Sequence, residues 1–231
     1  LIPTWRRRLM VTDRYARQVL HWGTEKQKII EESSLLIAGV GGLGATVSQL
    51  LVRAGIGRLF LVDDGRLDWP DLNRQTLYGE KDVGRAKLPL AKERLNQINS
   101  ATEIVELQGR IDESFQAPTE IDGVADCLDN YQSRFALYKG LATGTYFVHA
   151  GLDGDHGQLL TLLAGESQAF DTVFAGAVQP QGSIAVTPDN VVIIAGLMVN
   201  ELFSVLWKTP KLLNRCLVIS LADFHISFLD V

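Results

Sequence analysis

Residues 35–63 read LLIAGVGGLGATVSQLLVRAGIGRLFLVD, and this stretch decides the fold. It opens with an uninterrupted apolar run over 35–38, which predicts a strand buried on both faces. A second apolar run over 59–62 ends on an acid, Asp63. Between the two runs lies a glycine-rich turn, and the apolar residues after it recur at helical spacing: Leu43, Val47, Leu50, Leu51 and Ala54. The order strand, glycine turn, helix, strand, acid predicts a βαβ unit of the nucleotide-binding type.

The glycine turn explains why a nucleotide is the expected ligand. Its glycines are Gly39, Gly41, Gly42 and Gly44. Glycine lets backbone N–H groups approach a phosphate closely, and the positive end of the following helix favours the negative charge. Asp63 stands 19 residues after Gly44, where a carboxylate can accept both ribose hydroxyls. The alternative is a turn that only packs helix on sheet, but the flanking strands and the terminal acid favour nucleotide binding.

Composition narrows the class of protein. The chain has 231 residues, of which 46% are hydrophobic and 21% charged, as expected of a globular domain. A net charge of −5 argues against a broad nucleic-acid-binding face. The two cysteines, Cys127 and Cys216, offer no disulfide framework and favour a reducing compartment. We therefore expect a cytoplasmic location and no nucleic-acid partner.

Two stretches bear on export and membranes. Basic residues at 6–8 precede an apolar run of only three residues, 9–11, which is too short for a secretory signal. The most apolar long helix is expected over about 191–207, and it carries Asn200 and Glu201. Because polar groups in a membrane span are costly, this helix is predicted to be buried in protein, with no membrane partner.

The remaining pattern predicts a larger sheet in one domain. An amphipathic helical arm is expected over 14–32, with further helices over 84–98 and 131–143. Strands are expected at 103–107, 123–128, 146–150, 158–164, 217–221 and 224–228, the last two as a closing hairpin or edge strands. The predicted fold is a Rossmann-like α/β fold, with a mostly parallel sheet flanked by helices and extended by antiparallel strands near the C-terminus. We divide the chain into an arm (1–33), a nucleotide-binding half (34–150) and a second half (151–231).

Polar residues that follow the parallel strands are the candidate ligand contacts, because such loops line the crevice. The loop over 65–78 carries Asn73 and Arg74, and an arginine fork can donate two bonds to a phosphate. A solvated arginine is the alternative. Lys87 lies in the first turn of a helix, against the helix dipole, which fits either a phosphate contact or a surface lysine. Asp129 ends the predicted fourth strand, where a carboxylate can hold Mg²⁺ together with phosphates.

Three other features have a simpler interpretation. Asp153, Asp155 and His156 are close enough for a metal site, but a hairpin turn explains them better. Cys127 is predicted to be a buried apolar residue. Residues 165–188 form the longest irregular stretch, and we interpret them as a mobile substrate loop.

Six motifs together resemble the ThiF/MoeB/HesA family, the bacterial relatives of ubiquitin-activating enzymes. The motifs are RYARQ (14–18), GVGGLG (39–44), LVDD (61–64), DLNRQTLY (71–78), VGRAK (83–87) and DCLDN (126–130). The similarity extends from residue 14 to residue 231. It implies an enzyme that binds ATP and Mg²⁺ and adenylates the C-terminal glycine of a small ubiquitin-like sulfur carrier ending in Gly-Gly. Pyrophosphate is released, and the pathway would be cofactor biosynthesis of the thiamine or molybdopterin type.

The resemblance also implies roles for single residues. Gly42 would contact phosphate and Asp63 the ribose. Arg74 and Lys87 would bind the triphosphate. Asp129 would hold Mg²⁺, with Asn130 beside it. Arg17 would reach the γ-phosphate of the neighbouring subunit's ATP, which implies a homodimer.

The chain also departs from the family pattern. Two cysteines cannot form the two CxxC pairs of a structural zinc site, and residues 165–188 contain no cysteine for a covalent carrier intermediate. We therefore expect neither. Gly65 and Asp71 replace an acid and an asparagine expected near the ribose and phosphates. Two alternatives stay open: an NAD-dependent oxidoreductase, which fits GxGxxG and Asp63 alone, and a catalytically silent nucleotide-binding subunit.

Overall fold

A computed structural model describes residues 14–178, 182 and 184–231. Within these residues the helices are α1 (Ala16–Glu32), α2 (Gly42–Ala54), α3 (Lys87–Ile98), α4 (Tyr131–Lys139), α5 (Phe170–Val173) and α6 (Pro188–Leu206). The strands are β1 (Ser34–Ala38), β2 (Arg58–Val62), β3 (Glu103–Leu107), β4 (Gly123–Asp126), β5 (Tyr146–Asp153), β6 (His156–Leu163), β7 (Arg215–Ser220) and β8 (His225–Asp230). The interpretation of residues 6–11 as too short for a secretory signal concerns residues outside the described ones.

One sheet organises the described chain, in the strand order β3-β2-β1-β4-β5-β6-β7-β8. The pairs from β3 to β5 are parallel, and those from β5 to β8 are antiparallel. Leu36 of β1 lies between Phe60 of β2 and Val124 of β4, and its side chain is fully buried. The predicted α/β fold, with antiparallel strands added near the C-terminus, is confirmed.

The chain adds strands first on one side of β1 and then on the other side. From β1 it runs outwards through β2 to β3, and then returns to place β4 on the other side of β1. Diverging loops at such a switch point leave a crevice at the carboxyl ends of the strands. The glycine turn follows β1 and the DCLDN motif begins in β4, so the fold brings these two motifs to the same crevice.

The helical arm is broken where the sequence predicted one continuous helix. Gly23 has φ 84° and ψ 167°, a conformation outside the helical region that glycine adopts without the clash of a side chain. Before the break, the Trp22 ring contacts the rings of Phe203 and Trp207 edge-on, at centroid distances of 5.3 and 5.4 Å. The arm therefore docks on α6.

Several element ends differ from the predictions for physical reasons. Helix α4 stops at Lys139, and its C-cap residue is Gly140, where a Cβ would lie 2.3 Å from the Phe115 carbonyl oxygen. Helix α3 begins at Lys87, whereas the prediction began it at Gly84. Strand β4 ends at Asp126, two residues before its predicted end. Strand β5 continues to Asp153, since its pairing with β6 extends to the tip of the hairpin.

The stretch over 165–188 contains more structure than predicted. The short helix α5 inserts the fully buried Phe170 into the core. Residues 179–181 and 183 lie outside the described residues, and the mobility of the stretch stays a prediction. The predicted hairpin turn is confirmed, because Asp153 and His156 pair across it.

Helix α6 packs with α2 and α3 in the core on one face of the sheet. Among the described residues it is the helix long and apolar enough to cross a membrane, but 67% of its most apolar window is buried inside the protein. Glu201 is 2% exposed, and its carboxylate accepts hydrogen bonds from the Thr161 hydroxyl (2.9 Å) and from the N–H groups of Lys211 (3.0 Å) and Leu212 (2.9 Å). The prediction that this helix is buried in protein is confirmed.

Replacing Glu201 with alanine should destabilise the fold strongly. The substitution leaves buried donors from two segments without an acceptor, so the free energy of unfolding should fall by about 3 kcal/mol. Urea denaturation followed by circular dichroism measures the loss. Asn200→Ala, which alters the exposed neighbour on the same helix, is the matched control and should cost less than about 1 kcal/mol. Equal losses in the two variants would contradict the structural role of the buried carboxylate.

Candidate nucleotide site

A cavity of about 810 Å³ opens in the crevice between β1 and β4. The first half of the chain lines it with the glycine turn, the loops after β2 and β4, and the start of α3. The second half contributes the β5–β6 hairpin and part of the 165–188 stretch. Most of the residues singled out in the sequence therefore lie around one space.

The glycine turn is packed too tightly for side chains at two positions. Gly39 has φ 87°, and a Cβ there would lie 2.9 Å from the Cys127 carbonyl oxygen. A Cβ on Gly44 would lie 1.8 Å from the Gly39 carbonyl oxygen. Helix α2 begins at Gly42, and its N-cap residue Gly41 has no side chain to cap the first turn. The unsatisfied N–H groups at this helix start are the fixed donors that a phosphate requires.

Asp63 lines the cavity and also fixes its walls. One carboxylate oxygen accepts the Val40 N–H at 2.8 Å, and the other accepts the Gly65 N–H at 2.8 Å. Each oxygen retains a further lone pair that can accept a hydroxyl hydrogen. Asp63 can therefore hold the glycine turn and a ribose at the same time.

The two predicted phosphate cations both reach the cavity. The aliphatic part of Arg74 passes over Gly42, where a Cβ would lie 3.4 Å from the Arg74 Cγ and Cδ atoms. Lys87 Nζ lies 3.0 Å from an oxygen of Asp71, whose other oxygen is 3.6 Å from Arg74. The structure thus brings a lysine and an arginine to the start of α2, with Asp71 between them.

Asn73 and Arg17 lie elsewhere. The Asn73 amide donates to the Val186 carbonyl at 3.3 Å, and its oxygen accepts from Arg74 at 2.8 Å. Asn73 is not among the described residues that line the cavity, and its link to the site is the hydrogen bond from Arg74. Arg17 is exposed on α1 and does not line the cavity of its own chain.

Asp129 offers the cavity a hard oxygen ligand. It lies on the cavity wall after β4, and one of its oxygens accepts from the Asn130 amide at 3.1 Å. Asn130 in turn caps α4 by accepting the Ser133 N–H at 2.8 Å. One or two carboxylates combined with substrate phosphates are what Mg²⁺ prefers, so the residues present fit this ion. Among the described residues, no group of three or more His, Cys, Asp and Glu side chains converges to hold a metal.

A buried polar network behind the cavity was not predicted. His149 and Asp126 are both fully buried, and the His149 Nδ1 atom lies 2.7 Å from Asp126 Oδ2. The His149 Nε2 atom is 3.1 Å from the amide nitrogen of Gln158, which lines the cavity. Arg134 also lines the cavity and lies 3.5 Å from Asp126. The sequence does show one polar residue in each of two predicted strands, Asp126 and His149, and the structure pairs these two residues in register.

The two cysteines are poor nucleophiles in this fold. Burial raises the pKa of the Cys127 thiol well above its usual range, and burial also raises the pKa of Cys216. Both thiols are therefore protonated at neutral pH, whereas the thiolate is the reactive form. The prediction that Cys127 is a buried apolar residue is confirmed.

The fold and the cavity define a Rossmann-like α/β domain whose glycine turn, lysine and arginine line one crevice. Residues 15–231 match the ThiF family, and the chain belongs to this family. It is 32% identical over 170 residues to the vegetative HesA protein of Trichormus variabilis, covering 70% of this chain and 63% of that protein. It is 34% identical over 154 residues to the sulfur carrier protein ThiS adenylyltransferase of Escherichia coli, covering 64% and 61%.

A further sequence relative and a solved structure are also similar to this chain. The molybdopterin-synthase adenylyltransferase of Escherichia coli is 37% identical over 131 residues, which cover 55% of this chain and 53% of that protein. The crystal structure of Escherichia coli MccB with ATP shares the fold, with a TM-score of 0.79 and 21% identity over 95% of this chain and 71% of that one. The chain spans about three fifths of the length of the HesA and ThiS relatives.

The buried histidine should make stability depend on pH. Burial is the main cause that lowers the pKa of His149, and Arg134 adds to it, so the folded state holds the ring neutral. The unfolded chain protonates first as pH falls, and stability should therefore drop below pH of about 6.5, by at most about 1.4 kcal/mol per pH unit. Denaturation midpoints of wild type and His149→Gln between pH 5 and pH 8 test this. The stability of the variant should depend less steeply on pH than that of wild type. Equal pH dependence in the two proteins would contradict a neutral His149 ring in the folded state.

Proposed function

We propose that this chain is the adenylation domain of an enzyme that activates the C-terminal glycine of a small ubiquitin-like sulfur carrier with ATP. The observation that carries the proposal is the meeting of Arg74, Lys87 and Asp129 with the glycine turn around one cavity. Relatives named as adenylyltransferases for ThiS and for molybdopterin synthase support the same chemistry. The pathway is sulfur transfer in cofactor biosynthesis of the thiamine or molybdopterin type.

The reaction joins two anions. A carboxylate oxygen of the carrier attacks the α-phosphorus of ATP, a new O–P bond forms, and the bond from the α-phosphorus to the bridging oxygen breaks. The electron pair leaves with pyrophosphate, and an acyl-adenylate remains. The carboxylate is already ionised at pH 7, so no general base is required. What the site must supply is positive charge and position.

The residues of the chain divide this work. N–H groups at the start of α2 hold a phosphate, and Asp63 accepts the ribose hydroxyls. Lys87 and Arg74 neutralise the outgoing phosphates. Mg²⁺ held by Asp129 and phosphate oxygens would supply further positive charge at the developing oxyanions. Because both thiols of this chain are buried, we expect them to take no part in adenylation and to form no covalent intermediate with the carrier.

The second half of the chain supplies a surface that suits a glycine tail. It lines the cavity with Gly151, Gly157 and Gly182, together with apolar side chains such as Val178 and Val186. At Gly182 the space that a side chain would take is open, which leaves room for a peptide that runs close to the wall, and the apolar side chains do not compete for the tail carboxylate. A carrier ending in Gly-Gly fits this half, and a reducing cytoplasm suits the two free thiols.

Exchange of pyrophosphate into ATP tests the proposed function directly. With carriers encoded near the gene, wild type should exchange labelled pyrophosphate, and Asp129→Ala should lower the exchange rate by at least about 100-fold, because a metal ligand is lost. Asp112→Asn, an exposed change outside the cavity lining, is the matched control. Unaltered exchange in Asp129→Ala would exclude the metal role.

The same assay separates the two alternatives. Tight NADH binding without ATP binding would favour an oxidoreductase. Binding of ATP and carrier with no AMP formed would favour a catalytically silent subunit. No exchange with any encoded carrier contradicts the proposed enzyme.

Arg17 should act between subunits of a homodimer. It is exposed and lies outside the cavity of its own chain, which supports a contact with the neighbouring subunit's ATP. Arg17→Ala and Asp129→Ala homodimers should each be inactive. After equal amounts of the two variants exchange subunits, half of the dimers contain one chain of each kind, and one of the two sites in such a dimer is intact. The mixture should therefore recover up to about a quarter of the wild-type activity. Exchange activity after confirmed subunit mixing provides the measurement. No recovery would indicate a site built from one chain.

A further inference from the structure

The carboxylate of Asp71 occupies the place between the two cations of the cavity. Its Oδ2 atom is 3.0 Å from Lys87 Nζ, and its Oδ1 atom is 3.6 Å from the Arg74 guanidinium. The side chains of Asp71 and Lys87 are only 15% and 13% exposed. Because water screens pairs of this burial only in part, the carboxylate cancels one of the two positive charges in the space where a triphosphate would lie.

Asp71 is also fixed in this place. Its Oδ2 atom accepts the Asp68 N–H at 3.1 Å, as part of a capping box at the start of the short 3-10 helix Trp69–Asn73. Its own carbonyl accepts the N–H groups of Arg74 (3.1 Å) and Gln75 (3.0 Å). A carboxylate anchored by its own turn stays beside the cations when a ligand enters, so a phosphate must compete with it.

We propose that Asp71 competes with phosphate oxygens for Lys87 and Arg74 and thereby promotes release of pyrophosphate. This inference rests on the proposed function for its place in the reaction. While the phosphates are attached to the nucleotide, the glycine turn and Asp63 help to retain them. After the bond to the α-phosphorus breaks, pyrophosphate is no longer retained through the nucleotide and depends more on Lys87 and Arg74, and Asp71 recovers these two cations as pyrophosphate leaves.

The competition should appear in the pattern of ligand affinities. Pyrophosphate depends most on Lys87 and Arg74, so it should gain most when Asp71 loses its charge. ATP should gain in the same direction. AMP has neither the β- nor the γ-phosphate and should be unaffected. A merely structural role for Asp71 would weaken all three ligands alike.

Isothermal titration calorimetry with pyrophosphate, ATP and AMP tests the proposal on the full chain at fixed Mg²⁺ and ionic strength. Asp71→Asn keeps an oxygen that can accept the Asp68 N–H but removes the charge, and it should bind pyrophosphate about tenfold more tightly than wild type. Asp71→Glu keeps the charge and should stay within about twofold of wild type. Asp68→Asn removes one charge from the same turn outside the cavity lining, and it should also stay within about twofold.

Pyrophosphate binding that is equal or weaker in Asp71→Asn, with an unchanged melting temperature, would overturn the proposal. Equal gains in pyrophosphate affinity in Asp71→Asn and Asp68→Asn would also overturn it, because the gain would then come from the loss of one negative charge near the site and not from the position of Asp71. If Asp71→Asn does not fold, tight pyrophosphate binding by Asp71→Ser supports the proposal, and unchanged binding overturns it. The titration needs no carrier protein, so its failure is separate from that of the proposed function, which is decided by exchange with the carrier.

Discussion

The site depends on one carboxylate that binds two backbone N–H groups. Asp63 accepts from Val40 in the glycine turn and from Gly65 in the loop after β2. These bonds tie two loops that belong to different strands, and the turn accepts no side chain at Gly44, where a Cβ would clash with the Gly39 carbonyl oxygen. Arg74 can then pass over Gly42, and the start of α2 stays open to an anion. A change at Asp63 would therefore disturb the walls of the cavity as well as any bound ribose.

The sequence predicted the parts of the fold that depend on local periodicity. The strand over 103–107 and the course of β1, α2 and β2 follow from apolar spacing and glycine breaks, and the structure confirms them. The break of α1 at Gly23 was missed, because an isolated glycine does not show whether a helix will bend. The contact of Asp126 with His149 depends on the register of two strands, and no spacing along the chain reveals that register.

The candidate site residues also divide into those that local sequence pattern identifies and those whose contacts depend on the folded loops. Residues that follow a strand, such as Asp63 and Asp129, were found because parallel strands end at a common edge. Asn73 was placed at the crevice by the same rule, but its side chain turns to Val186 and Arg74. The pairing of Asp71 with Lys87 joins residues on either side of a loop that folds back on itself. Sequence separation hides such contacts, since they exist only after the loop has closed.

The burial of Glu201 sets an order on the assembly of the core. Its three donors come from Thr161 and from the N–H groups of Lys211 and Leu212, and the latter two lie ten and eleven residues further along the chain. A buried carboxylate that lacks its donors is costly. During synthesis on the ribosome, α6 therefore reaches its full stability on the sheet only after residues 211–212 have emerged. The strands from β1 to β5 precede α6 in the chain, so the part of their apolar face that α6 covers is the last to be closed.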